Sequence, residues 1–448
     1  MNNFILNLLG IEDDNVIVDD FFNEKETNTI VVTVSLKRKQ EVCPKCGSIN
    51  NYVHSHNTKK IIHSNFTSKR CILLFNQKRL KCNDCNKTFN EVNYFSLGKH
   101  RISDVTLSCI LNDLKTTVSY KTIADRYGTS SQTVLNYMDK YIDSKRRILP
   151  EVLCIDEFKN LSFGKGKYAC LLMDYQTGEI VDVLPNRRKE HLQYYFNHIS
   201  FEERKNVKFL VSDMFDGYKY LALNTFPNAI LVIDAFHYIR YISDALNMVR
   251  RRIQNLFKKE SLEYKKLKKY WKLLTKDSSK LINKFQHWDY FKDEMYTYEV
   301  IQDIKNIHPD IKTAYLLKED FFSSYKKVSF DKAEAFMITF INSMYNSNLP
   351  EFKEIADTFT NWLPYIVNSF NKDEYGKRMS NGKIEGSNNK IKVIKRVSYG
   401  YSDFYHLRNR IMYIFNDDEK PLPIPKPIDK IKYDKIGHFK PRKKDKLK

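Results

Sequence analysis

Three acidic residues carry side chains that could bind divalent cations. Glu385 is the single acidic residue of segment 380–396, which is rich in lysine and asparagine. Asp156 and Asp213 each follow an apolar stretch with the pattern of a β-strand. Three carboxylates that meet can bind two Mg²⁺ ions and support phosphodiester chemistry. The alternative for Glu385 is a surface charge that neutralises its cationic neighbours.

A second aspartate could take the place of Asp213 among the three acids. Asp234, like Asp213, follows a strand-like stretch, and the active sites of α/β sheets gather at such strand ends. We favour Asp213 and regard Glu157 and Asp216 as bystanders. His237 is either a packed structural histidine or a group close to the scissile phosphate.

A mixed α/β sheet must bring these acids together. The hydrophobic pattern after Pro150 changes to a period of two, which is typical of strands. The predicted order is three strands, a helix, a strand, a helix and a strand, as in a ribonuclease-H-like sheet. The predicted ranges are strands 153–157, 168–174, 179–184, 207–212 and 229–233, with helices at 188–204 and 215–224.

Helical patterns dominate the residues that follow, up to about residue 370. Two basic runs lie within them, Arg250–Arg252 and Lys265–Lys269. These runs are either solvated helix faces or contacts of a helical insertion with DNA.

Two C-x₂-C pairs predict a zinc site nearer the N-terminus. Cys₄ is a common ligand set for structural zinc, and the β pattern between the pairs indicates a zinc ribbon. The four predicted ligands are Cys43, Cys46, Cys82 and Cys85. Three histidines between the pairs are predicted to be polar surface residues: His54, His56 and His63. Cys71, within a strand pattern, is predicted to pack in the core.

The segment 104–147 has the pattern of a helix-turn-helix. Two helices, 119–127 and 131–138, flank a turn at Gly128. The second helix would present Ser131, Gln132 and Asn136 to DNA. The alternative is an ordinary helical hairpin, which the same pattern allows.

The large positive charge of the chain predicts a polyanionic partner. The 448 residues carry a formal net charge of +21, and nucleic acid is the first candidate. We found neither an apolar run of about 18 residues nor a signal peptide, so a cytosolic protein without a membrane partner is expected. Four cations that follow Glu385 are predicted to hold phosphates: Lys390, Lys392, Lys395 and Arg396. Residues 417–448 are predicted to form a flexible basic tail.

Taken together, these motifs resemble the ISL ("ISL three") family of insertion-sequence transposases, which have a DDE catalytic core. The resemblance rests on the cysteine pairs, the helix-turn-helix, Ile155-Asp156-Glu157 and, above all, Asn381-Gly-Lys-Ile-Glu385-Gly. It implies a multidomain α+β chain whose ribonuclease-H-like core is interrupted by an all-helical insertion. The expected segments are 1–40 with a strand, 41–95 zinc ribbon, 96–148 helix-turn-helix, 149–240 core, 241–370 insertion, 371–416 core with the catalytic glutamate, and 417–448 tail.

The resemblance also implies a function. Asp156, Asp213 and Glu385 would bind Mg²⁺ or Mn²⁺, with Asp234 and His237 as auxiliary residues, and the cysteines would bind structural Zn²⁺. The chain would bind the terminal inverted repeats of its element, cut double-stranded DNA and join it to target DNA. A homodimer or larger assembly on DNA in the bacterial cytoplasm, associated with the nucleoid, is expected. The alternatives are a non-catalytic regulator derived from such an enzyme and another ribonuclease-H-like nuclease, such as a junction resolvase.

Overall fold

The chain forms two compact units. The computed structural model describes residues 2–11, 13–66, 69–96, 101–142, 144–161, 166–398, 400–401 and 403–416. The first unit comprises Met1–Arg146 and Asn389–Lys448, and the second comprises Arg147–Asn388. The predicted tail, 417–448, lies outside the described residues.

A five-stranded sheet forms the first part of the first unit. After helix α1 (Asn2–Leu8) come β1 (Val16–Glu24), β2 (Thr29–Leu36), β3 (Asn51–Phe66), β4 (Lys69–Cys82) and β5 (Thr88–Asn90). The strand order is β1-β2-β4-β3, and β5 pairs with the end of β4. Strand β2 is buried at nearly every position, because its alternating valines pack against Leu73 and Phe75 of β4. The strand expected within residues 1–40 is therefore present as β2, and β1 precedes it.

Three short helices follow in the first unit: α2 (Asp104–Asp113), α3 (Tyr120–Arg126) and α4 (Ser131–Tyr141). Each begins after a serine whose hydroxyl accepts a hydrogen bond from the backbone N–H three residues later, a strong N-terminal signal. Gly128 has a φ of +63°, which favours glycine and ends α3. Ala124 and Val134 are buried between the helices.

A second five-stranded sheet is the centre of the second unit. Its strands are β6 (Val152–Lys159), β7 (Tyr168–Asp174), β8 (Ile180–Leu184), β9 (Phe209–Ser212) and β10 (Ile230–Ile233). The strand order is β10-β9-β6-β7-β8. Strands β6, β9 and β10 are parallel, whereas β7 is antiparallel to both of its neighbours. All five predicted strands are present.

The connections within this sheet contain one more helix than predicted. The single helix expected at 188–204 is two helices, α5 (Lys189–Asn197) and α6 (Phe201–Lys205). The break occurs because the Ser200 hydroxyl accepts a hydrogen bond from the Glu203 N–H at 3.3 Å and so caps a new helix. Helix α7 (Asp216–Thr225) then connects β9 to β10, as expected.

A long helical segment follows β10. Its helices are α8 (Ala235–Gln254), α9 (Leu262–Lys269), α10 (Trp271–Thr275), α11 (Thr297–Lys305), α12 (Pro309–Tyr325), α13 (Phe330–Asn346) and α14 (Pro350–Asn368), with a 3₁₀ turn at Ser278–Lys280. The segment is not all-helical, because β11 (Phe285–Gln286) and β12 (Met295–Tyr296) form a small hairpin before α11. Its buried residues form one continuous core with those of the sheet.

Two helices end the described chain: α15 (Gly382–Val397) and α16 (Phe404–Phe415). Helix α16 packs within the first unit against α2–α4. The buried Arg410 guanidinium donates to the carbonyls of Thr116 and Val118 at 2.9 and 3.0 Å, and the Tyr413 hydroxyl donates to Leu111 O at 3.0 Å. These contacts tie the end of the described chain to the three-helix group. None of the described helices combines the length and the apolar character needed to cross a bilayer.

Candidate functional site

The register of the second sheet places three aspartates at one edge. Strand β9 pairs with β6 up to Cys154 and Val211, and with β10 at Ser212 and Ile233. Asp213 and Asp234 directly follow the two shorter strands, whereas β6 continues past Asp156 to Lys159. Because parallel strands run side by side, this register brings Asp156, Asp213 and Asp234 to neighbouring positions.

The Asp156 carboxylate is held by two donors. The backbone N–H of Glu157 donates to Oδ1 at 2.8 Å, and the Asn388 side chain donates to Oδ2 at 2.8 Å. Burial, together with the charges of Glu157 and Asp213, raises the pKa of the Asp156 carboxyl to about 7, against the opposing hydrogen bond from the Glu157 N–H. A cation at this position would offset the cost of ionising it.

The Asp213 carboxylate has an unused oxygen. Within the described residues, its Oδ1 is buried and has no hydrogen-bond partner. Burial and the charge of Glu157 raise the pKa of Asp213 to about 7, although the Arg187 guanidinium opposes the shift. A buried carboxylate oxygen without a donor fits a cation ligand, because metal coordination would satisfy it.

Asp234 connects this edge to His237 and Glu385. Its Oδ2 lies 3.8 Å from His237 Nε2, and its backbone N–H donates to Ser212 O at 2.8 Å. Burial raises the pKa of Asp234, the histidine lowers it, and the nearby charge of Glu385 raises it. Glu385 itself is exposed in the first turn of α15. The structure therefore brings both candidate second aspartates to the same edge.

Glu157 is occupied by other partners. Arg187 forms an ion pair with it, and the Tyr218 hydroxyl donates to its Oε2 at 3.0 Å. The guanidinium lies over the rings of Tyr168 and Phe215, 4.7 and 4.4 Å from their centroids. This pairing accords with the treatment of Glu157 as a bystander.

The acids do not converge as tightly as the ligands of a single ion. In the described part of the chain, the cysteines are the only group of three or more potential ligand side chains whose atoms all lie within 4.8 Å. Like charges repel, so carboxylates without a cation are expected to stay apart. A site for two ions also spreads its ligands over a greater distance.

The four cysteines of the first unit do converge. Cys43 Sγ lies 3.7 Å from Cys85 Sγ, and Cys46 Sγ lies 3.6 Å from Cys82 Sγ. Tetrahedral Zn²⁺ with bonds of about 2.3 Å would hold its sulfurs about 3.8 Å apart. Backbone N–H groups of Lys45 and Cys46 lower the pKa of Cys43 to about 7, which favours its thiolate, whereas the neighbouring cysteines raise the pKa of Cys46 to about 12. The donor set fits structural zinc.

The residues between the cysteine pairs have other roles. Cys71 is buried in the core of the first sheet, as predicted. His63 is not a surface residue: it is buried, with Nδ1 2.9 Å from Ser103 Oγ and Nε2 2.8 Å from Leu9 O. Its place on a strand face turned toward the core explains the difference. His54 and His56 are both exposed on β3, as predicted.

The predicted DNA-contacting residues lie on accessible surfaces of the first unit. Ser131, Gln132 and Asn136 are exposed on α4, and the Gln132 amide donates to Asn136 Oδ1 at 2.9 Å. Four cations follow on α15, where three are exposed and Lys395 is half-buried: Lys390, Lys392, Lys395 and Arg396. Lys392 donates to Asn389 Oδ1 at 3.1 Å, and Lys390 lies 4.6 Å from the Phe415 ring centroid.

Some basic residues of the helical segment form contacts within the protein. Arg250 is buried and donates to Leu267 O at 3.0 Å. Arg252 pairs with Glu351 at 2.7 Å and with Asp310 at 2.9 Å. Two of the three arginines of this basic run therefore link helices to one another. Neither the interpretation as a solvated face nor that as a DNA contact anticipated this.

Two asparagines near the acids were missed as site residues. Asn381 and Asn388 are buried beside β6, and both were visible only as part of the polar motif around Glu385. Their spacing of four and three residues from Glu385 was the available signal, because such positions share one helix face. Arg187 and Tyr218 gave no comparable signal.

Comparison with known proteins identifies the class. A family profile described as "Transposase" matches residues 153–411. A second profile, described as "zinc-finger of transposase IS204/IS1001/IS1096/IS1165", matches residues 39–85. The sheet with its acidic edge and the cysteine cluster thus lie within matched transposase regions. The first match covers more than half of the chain, which belongs to the ISL3 family of DDE transposases.

Individual relatives are more distant. The "Transposase for insertion sequence element IS1001" of Bordetella parapertussis is 21% identical over 404 residues, which are 87% of this chain and 93% of that protein. A Lactococcus lactis subsp. lactis protein named "ATP-dependent protease" is 31% identical over 115 residues. That match covers 25% of this chain and 34% of the relative, too little to describe the whole protein.

Proposed function

We propose that this transposase binds the terminal inverted repeats of its element and catalyses metal-dependent DNA cleavage and strand transfer. Asp156, Asp213 and Glu385 are the proposed catalytic ligands. The observation that carries the proposal is the sheet edge at which two half-buried carboxyls, Asp156 and Asp213, each with a pKa raised to about 7, lie next to the buried Asp234 and its neighbour Glu385. Such a concentration of acids is costly unless cations are bound there.

The protein side of the mechanism follows from the contacts at this edge. Mg²⁺ or Mn²⁺, when bound, would activate the attacking oxygen and stabilise the leaving oxygen of the phosphodiester. Asn388 and the Glu157 N–H hold the Asp156 carboxylate in one orientation. Asp213 would offer its Oδ1, which has no hydrogen-bond partner within the described residues. His237, beside Asp234, could donate a proton or a hydrogen bond close to the scissile phosphate.

DNA recognition is assigned to the first unit. The α3–α4 pair would act as a helix-turn-helix, with Ser131, Gln132 and Asn136 at the bases, and the zinc ribbon would add to end recognition. Lys390, Lys392, Lys395 and Arg396 would hold phosphates. We further propose a dimer or larger assembly on DNA, in the bacterial cytoplasm with the nucleoid. The second sheet, by its order of strands and helices, is proposed to be ribonuclease-H-like.

A cleavage assay tests this function. Purified protein is incubated with DNA that carries the inverted repeats flanking its gene, with Mg²⁺ or with a chelator. Strand breaks and joined products should form only with the metal and only with repeat-containing DNA. Asp216→Asn, an exposed acid outside the site, is the matched control and should cleave normally. Repeat binding without any cleavage by the unaltered protein would favour the regulator.

A further inference from the structure

Helix α15 is fixed to strand β6 by two side-chain amides. Asn381, just before the helix, donates to Ile155 O at 3.1 Å. Asn388, two turns later, donates to Asp156 Oδ2 at 2.8 Å and lies 3.4 Å from Glu157 O. Both asparagines are buried, with 2% and 6% of their surface exposed. The two contacts therefore lie on either side of Asp156 along the strand.

The ladder of the sheet explains why amides are needed at this place. Glu151 O accepts from the Phe209 N–H of β9. Carbonyls two residues apart point to the same edge of a strand, so those of Ile155 and Glu157 face the same side. Strand β9 ends at Ser212, and the register of β6 with β9 ends at Cys154. Beyond that point, the asparagine amides replace the missing strand as donors.

The same two residues determine where Glu385 lies. Positions 381, 385 and 388 are separated by four and three residues, so they share one helix face. The Glu385 N–H donates to Asn381 O at 3.0 Å, which makes Asn381 the residue from which the helix starts. The carbonyl oxygen of each side-chain amide has no such contact. Within the described residues, Oδ1 of Asn381 and Oδ1 of Asn388 are buried without a hydrogen-bond partner.

We propose that Asn381 and Asn388 are positioning residues of the cation site. They hold the helix that carries Glu385 at a fixed position along β6, and Asn388 also orients the Asp156 carboxylate toward the cation. The inference rests on the proposed function, because it assumes that Asp156 and Glu385 bind a divalent cation. It predicts that the loss of either amide weakens cation binding while the sheet stays folded.

Mn²⁺ binding to the DNA-free full-length protein, followed by electron paramagnetic resonance, tests this proposal. Removal of a group that orients a metal ligand typically weakens metal affinity about 10- to 100-fold. Asn388→Ala and Asn381→Ala should show a loss in this range, and cleavage should require correspondingly more Mn²⁺. Asn389→Ala, one residue further on the exposed side of α15, is the matched control and should bind Mn²⁺ like the unaltered protein.

Two further variants, Asn388→Ser and Asp156→Asn, distinguish an effect on folding from an effect on cation binding. Asn388→Ser keeps a polar group at the buried position but is too short to reach Asp156. It should lose Mn²⁺ affinity while its circular dichroism is unchanged. Unaltered Mn²⁺ affinity in folded Asn388→Ala or Asn388→Ser would overturn the inference and leave the proposed function standing. If the unaltered protein and Asp156→Asn bind Mn²⁺ equally weakly, the proposed function itself is contradicted.

Discussion

Two candidate metal centres in this transposase are built in opposite ways. In the first unit, four cysteine sulfurs already lie at distances that suit a single tetrahedral ion. In the second, the carboxylates lie on a sheet with an extensive apolar core and are not gathered to single-ion distances. The cysteine knuckles turn at Gly47 and Asn86, both of which have a positive φ.

At the cysteines the metal would stabilise the local fold, whereas at the acidic edge a sheet that is already folded would hold the metal. We expect zinc binding and local folding of the knuckles to be coupled. The acidic edge needs no metal to fold, because burial of Leu153, Ile155 and Leu210 already stabilises the strands that carry it. We expect its ionised acids to lower stability until a cation binds, which is typical of functional sites.

The largest expected effect is at the cysteines. Cys82→Ser should release zinc and unfold the ribbon, because structural zinc contributes about 10–16 kcal/mol of binding free energy in zinc-finger peptides. End binding should weaken while the second sheet stays folded. Metal analysis and limited proteolysis would measure this, with Cys109→Ser, outside the cluster, as the control. Purified protein without zinc, or normal end binding by Cys82→Ser, would contradict a fold-building role.

DNA recognition should divide between two kinds of contact. Gln132→Ala or Asn136→Ala should change the preference between related end sequences by about 1–3 kcal/mol, the value of a good base contact. Lys392→Ala should weaken binding to all sequences and lower the salt slope by about one unit. Footprinting on natural and shuffled ends measures both. Equal losses on both DNAs for the Gln132 variant would restrict α4 to backbone contacts.

The acidic edge should be more stable without one of its charges. With the pKa of Asp213 raised from 3.8 to about 7, the folded protein holds a proton that the unfolded chain has released between these values. Stability should therefore fall as the pH rises through that window. Metal-free Asp213→Asn should gain about 1–2 kcal/mol at about pH 8 and little at about pH 4. Thermal melting measures this stability difference. If the variant is less stable than the unaltered protein at about pH 8, the ionised Asp213 carboxylate does not destabilise the fold and the argument is refuted.

The smallest effect concerns a histidine away from both centres. Nε2 of His406 lies 3.1 Å from Asp139 Oδ2, and this hydrogen bond raises the pKa of His406. The stabilisation should be complete below about pH 6.5 and disappear as the pH rises through the folded-state pKa. His406→Gln should cost less than about 1 kcal/mol at low pH and nothing at high pH. A pH-independent difference in melting temperature would exclude the ion pair.

The sequence predicted those features that depend on local pattern. The five strands of the second sheet, the helices at 119–127 and 131–138 and the cysteine cluster all follow from periodicity and ligand spacing. It did not predict the break at Ser200 or the burial of His63, which depend on a single cap and on contacts with Leu9 and Ser103. The asparagine contacts with β6 depend on where β9 ends, which periodicity cannot specify to one residue.

The central proposal is that Asp156, Asp213 and Glu385 together bind the cation that cuts DNA. The most direct measurement is Mg²⁺-dependent cleavage of end-containing DNA by Asp156→Asn, Asp213→Asn, Glu385→Gln and Asp234→Asn, each with its end affinity. We predict that the first three lose cleavage by about a thousandfold or more, since a metal supplies several kcal/mol to the transition state, and still bind ends. Normal cleavage by Asp213→Asn and none by Asp234→Asn would show that the second ligand is Asp234, and normal cleavage by Glu385→Gln would contradict the proposal as a whole.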